Sequence, residues 1–143
     1  MDPYKELVII LAEDDEGHAD LIKEGLQASG ECKNIVHFTN GQDAWDYLSS
    51  ISRGELRNLN KNYVALLDLN MPILDGIEVL RRIKADEELK IIPTMMLSTN
   101  DDPQEVETCY KIGCNMYITK PVNFTKFTET LDRLSKFIQI ISF

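Results

Sequence analysis

The chain has 143 residues, 43% of them hydrophobic and 27% charged, which is the balance of a soluble globular protein with a real core. Its net charge of −9 argues against direct nucleic-acid binding. No apolar run approaches the roughly 18 residues that cross a bilayer, and "MDPYKEL" has no signal-peptide features. We therefore expect one cytoplasmic domain over residues 1–143, without a membrane partner.

The first half of the chain predicts two strand–helix units. Residues 7–12 are apolar throughout, as in a strand covered on both faces, and residues 34–38 predict a second strand. Gly30 should end the first helix, and Asn40 should cap the second. Apolar residues that recur at helical spacing should form the buried faces of these two helices: Ala19, Ile22, Leu26, Ala44, Leu48 and Ile51. Residues 50–63 are polar, have no clean helical period and predict a long loop or a frayed helix end.

The second half predicts three further units. Strands are expected at residues 63–68, 91–98 and 115–119. Pro93 is tolerable near the start of the second of these strands. Gly76 should begin the first of three helices. The second should begin at Asp102 with Pro103 and end at Gly113, and the last should start near Phe124. Residues predicted to face the core from the first and last of these helices are Val79, Leu80, Ile83, Phe127, Leu131, Leu134 and Ile138.

Five strand–helix units with short connections predict an α/β fold, a doubly wound parallel sheet in three α/β/α layers. Ligands bind such sheets beyond the carboxyl ends of the strands. Polar residues lie at four of these ends: Glu13-Asp14-Asp15, Asp68-Leu69-Asn70, Ser98-Thr99-Asn100 and Thr119-Lys120-Pro121. The sequence thus places its candidate chemistry at one edge of the sheet.

Three of these residues are carboxylates on neighbouring strands. Strands lie about 5 Å apart, so Glu13, Asp14 and Asp68 should repel one another unless a counter-charge is present. Mg²⁺ suits such a site, because it takes one or two carboxylates, several waters and phosphate oxygens. We expect Asp14 and Asp68 to bind the metal directly and Glu13 to bind it through water.

Two further polar residues suit a phosphate. Lys120 can pair with Asp68 when the site is empty and with phosphate oxygens when it is full, and Ser98 offers a hydroxyl donor. Asp68 could then attack phosphorus and form an acyl phosphate.

Other polar residues have simpler interpretations. Asp15 and Glu16 suit a helix N-terminus, and Asp75-Gly76 suits a turn. His18 and His37 are isolated, at predicted helix-surface and strand positions rather than at a metal site. The three cysteines have no metal-ligand spacing and predict reduced, mostly buried residues: Cys32, Cys109 and Cys114.

Together these motifs resemble the receiver domains of two-component response regulators, over almost the whole chain. The resemblance implies a flavodoxin-like (βα)5 fold with strand order 2-1-3-4-5. It implies Asp68 as phosphoacceptor, the Asn70 main-chain carbonyl as a metal ligand, Ser98 and Tyr117 as switch residues, and Lys120 before Pro121, which is commonly cis in this family.

The resemblance also implies a cycle. A sensor histidine kinase would donate a phosphoryl group to Asp68 with Mg²⁺ bound. Ser98 would move toward the phosphate and Tyr117 would rotate inward, which changes the surface of helix 102–113, strand 115–118 and the last helix. The protein would not otherwise be an enzyme, beyond self-phosphorylation and slow self-dephosphorylation. The resemblance also implies that Asn70 and Asn100 occupy positions that flank the phosphoryl group, and because both are polar and uncharged we expect an intermediate dephosphorylation rate.

Within the family, the chain is most similar to stand-alone receivers such as the phytochrome-associated response regulators, which implies a phytochrome-type kinase as a candidate partner. A receiver from a larger regulator or hybrid kinase is the alternative. The apolar end of the chain suits core packing, or a homodimer contact through the last helix.

The sequence disfavours three rival functions. A non-phosphorylated receiver would have a damaged pocket, which this sequence does not show. Phosphohydrolases with an aspartyl nucleophile typically carry a second aspartate two residues later, where this chain has Asn70. Flavin binding would need a phosphate-cradling loop after the first strand, where an acidic triplet lies instead.

Overall fold

Five strands alternate with five helices along the chain. The computed structural model describes residues 6–28, 34–54, 61–120 and 124–140. The elements are β1 (Glu6–Ala12), α1 (Glu16–Gln27), β2 (Asn34–Phe38), α2 (Gly41–Ser52), β3 (Lys61–Asp68), α3 (Gly76–Ala85), β4 (Thr94–Ser98), α4 (Pro103–Ile112), β5 (Met116–Thr119) and α5 (Phe124–Ile140). The strands form one parallel sheet in the order β2-β1-β3-β4-β5, so the predicted topology is confirmed.

The sheet is covered on both faces because its central strands are apolar on both. Successive side chains of a strand point to opposite faces. Ile10 and Leu67 pack with α2, α3 and α4 on one face, whereas Ile9 and Leu66 pack with α1 and α5 on the other. No described helix is long and apolar enough to span a membrane.

Side-chain caps begin four of the helices just after a strand or its loop. In each case the side-chain oxygen of the capping residue accepts a hydrogen bond from an N–H of the first turn. The capping residues are Asp15, Asn40, Asp75 and Asp102. The caps predicted at Asn40 and Asp102 are confirmed. Gly113, with φ of 127°, ends α4 as predicted, because glycine readily adopts positive φ.

The predicted start of β4 at residue 91 was wrong. Ile91 lies in a turn with 80% of its surface exposed, and the strand begins at Thr94. The preceding backbone is held in turns, because Asp86 accepts hydrogen bonds from the N–H groups of Glu88 and Leu89. Lys84 Nζ also donates to the carbonyls of residues 90 and 92. These contacts outweigh the strand propensity of Ile91 and Ile92.

The prediction of a long loop or a frayed helix end at residues 50–63 agrees with the end of α2 and was wrong for residues 61–63, which belong to β3. α2 continues to Ser52, whose hydroxyl donates to Asp86 at 2.8 and 2.9 Å, and β3 begins at Lys61. Strand β5 begins at Met116, one residue later than predicted. Cys109 and Cys114 are free and buried, as expected. The predictions for Gly30, Cys32 and Pro121, and those for the side chains of Phe127 and Ile138, lie outside what the structure describes.

Candidate functional site

The three predicted carboxylates come together at the carboxyl edge of the sheet. Ala12 pairs with Leu67, so the next residues, Glu13 and Asp68, lie side by side at the ends of β1 and β3. One oxygen from each of Glu13, Asp14 and Asp68 lies within 4.8 Å of the others. Glu13 is fully buried and Asp68 is 6% exposed, whereas Asp14 faces solvent.

Glu13 is fixed by its main chain and its side chain. Its N–H donates to the Phe38 carbonyl at 3.0 Å, and its own carbonyl accepts from His37 Nε2 at 2.8 Å. Its Oε1 accepts from the Lys120 ammonium. Its Oε2, by contrast, is buried without a hydrogen-bond partner among the described residues.

That unpartnered oxygen fits a cation site. A buried carboxylate oxygen without a partner carries a desolvation cost. An all-oxygen donor set of three clustered carboxylates is the chemistry that hard divalent cations prefer. The residues present therefore fit a divalent cation.

Burial and a second carboxyl group both disfavour the ionised form of Glu13. Desolvation, followed by the adjacent Asp68 carboxyl group, raises the pKa of Glu13 from 4.5 to about 8, against the opposing effect of Lys120. Added positive charge beside the cluster would favour the ionised form of Glu13.

Lys120 lies between the two buried carboxylates. Its side chain is 5% exposed, and Nζ contacts Glu13 Oε1 more closely than Asp68 Oδ2, which is 3.4 Å away. The predicted contact with Asp68 is present, but the strongest partner is Glu13. Sequence reasoning missed that ion pair.

The loop after Asp68 is held close to the strand end. The Asn70 N–H donates to Asp68 Oδ1 at 3.3 Å, and the Gly76 N–H donates to the Leu69 carbonyl at 3.0 Å. Ile73, with φ of 73° and 79% exposure, is a positive-φ residue in this loop, which is rare for a β-branched side chain. The main-chain oxygen of Asn70 stays a predicted metal ligand.

Gly76 is required where α3 begins. A Cβ at this position would lie 2.1 Å from the Asp68 carbonyl oxygen. Because that neighbour is main chain, Gly76→Ala should displace Asp68 or α3 and lower the free energy of unfolding by about 2–3 kcal/mol or more. Urea unfolding would measure the loss.

Gly17→Ala is the matched control for Gly76→Ala. Gly17 also lies in the first turn of a helix, but its Cβ would meet only the Asp15 side chain, at 3.2 Å. Because only that side-chain oxygen must shift slightly, we expect the free energy of unfolding to change by no more than about 1 kcal/mol in either direction. Equal losses in the two variants would contradict the close approach at Asp68.

The two predicted switch residues are linked through Asn100. The buried Ser98 hydroxyl accepts from the Asn100 N–H at 3.0 Å, and Tyr117 Oη donates to the Asn100 carbonyl at 2.6 Å. The Tyr117 N–H in turn donates to Tyr110 Oη at 3.0 Å. Asn100 Nδ2 also donates to Glu105, in the first turn of α4. A hydrogen-bonded path therefore joins the end of β4, α4 and β5.

The predicted positions of the two histidines were right, but their predicted isolation was wrong. His37, in β2, reaches the Glu13 carbonyl, and His18, in α1, lies 3.7 Å from Glu13 Oε1 and 3.5 Å from Lys120 Nζ. A signal was available for His18, because it is the third residue after the Asp15 cap, and side chains there tilt back toward the strand end. Tyr110 had no comparable signal in the sequence.

Comparison with known proteins agrees with this geometry. Residues 9–132 match the family model for the response regulator receiver domain. The chain therefore belongs to the receiver domains of two-component response regulators, which are phosphoacceptor proteins.

Several relatives match over most of their length. The probable methanogenesis regulatory protein FilR2 of Methanothrix harundinacea is 33% identical, covering 95% of this chain and 84% of the relative. The response regulator Rcp1 of Synechocystis is 32% identical, with coverage of 91% and 87%. Rcp1 has a solved Mn²⁺-bound form, with a TM-score of 0.78, 29% identity, and coverage of 92% and 93%.

A phosphorylated relative is also known in three dimensions. The phosphorylated cyanobacterial phytochrome response regulator RcpA has 34% identity and a TM-score of 0.84, with coverage of 95% of this chain and 96% of RcpA. The chain is thus similar in sequence and fold to response regulators of phytochromes.

Proposed function

We propose that Asp68 accepts a phosphoryl group from the phosphohistidine of a sensor histidine kinase. The observation that carries the proposal is the position of its carboxylate. Asp68 ends a buried strand, has the Lys120 ammonium 3.4 Å away and shares a cluster with Glu13 and Asp14. In the transfer, an Asp68 oxygen forms a bond to phosphorus while the P–N bond breaks. The electron pair of the P–N bond returns to the imidazole of the kinase.

The residues around Asp68 act by position and charge. Lys120 offsets negative charge on the phosphoryl oxygens, and the Ser98 hydroxyl can donate to one of them. Asp14 and Asp68 would hold a Mg²⁺ ion directly and Glu13 through water, with the Asn70 carbonyl as a further ligand. When bound, such an ion supplies positive charge next to the transferring group. The chain has no other enzymatic role in this proposal.

The output follows from the hydrogen-bonded path through Asn100. If Ser98 turns its hydroxyl toward a phosphoryl oxygen, its contact with the Asn100 N–H is lost, and the Tyr117 contact with the Asn100 carbonyl is disturbed. A charge of nearly two units on Asp68 thereby biases the surface formed by α4, β5 and α5.

The proposal also covers the partner proteins of this chain and its location in the cell. A phytochrome-type kinase is the candidate donor, since RcpA is a phytochrome response regulator. Homodimerisation through α5 and a cytoplasmic location are further predictions of the sequence. Phe137 packs into the core from α5, whereas the side chains of residues 138–140 are not described.

Phosphoryl transfer can be tested with acetyl phosphate and Mg²⁺. Intact-protein mass spectrometry should show one added phosphoryl group, which a chelator prevents and which is lost at alkaline pH, as expected of an acyl phosphate. Addition of a phosphorylated histidine kinase should give the same product faster. Unchanged mass with both donors would contradict the proposal.

A further inference from the structure

His18 approaches the site because of how α1 begins. The Asp15 side chain caps the helix and accepts from the His18 N–H at 2.9 Å. Side chains in a helix tilt toward its N-terminus, and the N-terminus of α1 follows directly on the end of β1. The imidazole therefore lies over Glu13 and Lys120, with its side chain 40% exposed.

The contact with Lys120 determines the role of one ring nitrogen. His18 Nδ1 lies 3.5 Å from Lys120 Nζ. An ammonium group donates three hydrogen bonds and accepts none, so this contact is a hydrogen bond in the tautomer whose Nδ1 is unprotonated and accepts. Glu13, Asp68 and His18 together give three acceptors around a group with three hydrogens.

These three acceptors differ in what else they must do. Glu13 and Asp68 belong to the carboxylate cluster, and both would turn toward a cation or a phosphoryl group. His18 belongs to a capped helix and has no place in that cluster. Its nitrogen can therefore keep its contact with Lys120 when the carboxylates change partners.

We propose that His18 is a positioning residue that holds the Lys120 ammonium at the rim of the site through Nδ1 during phosphoryl transfer. This inference rests on the proposed phosphorylation of Asp68. A fixed ammonium meets the phosphoryl oxygens without first losing its orientation, and such preorganisation lowers the barrier. His18 acts through Lys120 and forms no bond to phosphorus.

The test compares His18→Ala with His18→Asn, because an asparagine amide oxygen can occupy the place of Nδ1. The rate of labelling by acetyl phosphate is measured against donor concentration at saturating Mg²⁺ and one fixed pH. Loss of a hydrogen bond to a charged group should lower the maximal rate of His18→Ala roughly fivefold to tenfold. The donor concentration at half-maximal rate and the Mg²⁺ affinity should stay within about twofold, and His18→Asn should recover most of the rate.

Two further measurements separate the alternatives. Glu16→Ala changes an exposed residue in the same helical turn and should keep the wild-type rate. Nitrogen NMR of the metal-free protein should show His18 as the Nε2–H tautomer. Equal rates for wild type and His18→Ala, equal losses in both His18 variants, or an Nδ1–H tautomer would each overturn the inference. An unlabelled wild type would instead overturn the proposed function.

Discussion

Asp68→Asn should abolish phosphorylation by acetyl phosphate and by a histidine kinase while the protein stays folded. The amide has the size of the carboxylate but lacks the anionic oxygen that attacks phosphorus. Lys120 keeps its contact with Glu13 in this variant, so no buried ammonium is left without a partner. Intact-protein mass spectrometry measures the product, and circular dichroism with urea unfolding checks the fold.

Asp75→Asn is the matched control for Asp68→Asn. Asp75 lies in the same loop, but its carboxylate caps α3 by accepting from the Glu78 N–H at 2.8 Å. Asparagine caps helices about as well as aspartate, so stability should change little and labelling should match the wild type. If Asp68→Asn still gained a phosphoryl group, peptide mapping would locate another acceptor and Asp68 would lose its assigned role.

The fold could be predicted because its pattern is local and strong. Unbroken apolar runs such as residues 7–12 predict buried parallel strands, and alternation with helical periods leaves few topologies. The predicted start of β4 failed for the opposite reason. Ile91 and Ile92 have strand propensity, but contacts from Asp86 and Lys84 hold that backbone in turns. Such contacts depend on the folded arrangement and have no short sequence signal.

The site was predictable to the level of strand ends. Parallel strands bring their carboxyl ends to one edge, so Glu13, Asp14 and Asp68 could be placed together from order alone. Which side chain pairs with which was not predictable. The Lys120–Glu13 ion pair and the two histidine contacts depend on where the side chains lie in the folded protein, which strand order does not determine.

The metal-free protein should lose stability as pH rises from about 5 to 8, through the titration of Glu13. Its pKa in the folded protein is raised to about 8, chiefly by burial, from an ordinary value of 4.5. The folded state therefore retains a proton that the unfolded chain has released over this range. The resulting stabilisation is fully present below pH 4.5 and is lost as pH passes through about 8. Its size is on the order of 3–5 kcal/mol.

Glu13→Gln isolates this contribution, because glutamine stays neutral in both states and can still accept from Lys120. Urea unfolding in a chelator, repeated across the pH range, gives the difference in unfolding free energy between wild type and Glu13→Gln. As pH rises, the unfolding free energy of the wild type should fall relative to that of Glu13→Gln. A difference independent of pH would refute the assignment.

Mg²⁺ should change how the stability of the wild type depends on pH. An ion that faces three carboxylates binds best when Glu13 is ionised, so protons and metal compete for the site. Mg²⁺ should therefore stabilise the wild type more at about pH 8 than at about pH 6. In Glu13→Gln the two increments should be nearly equal, because residue 13 then has no proton to release. An equal increment at both pH values in the wild type would mean that Glu13 does not contribute to the cation site.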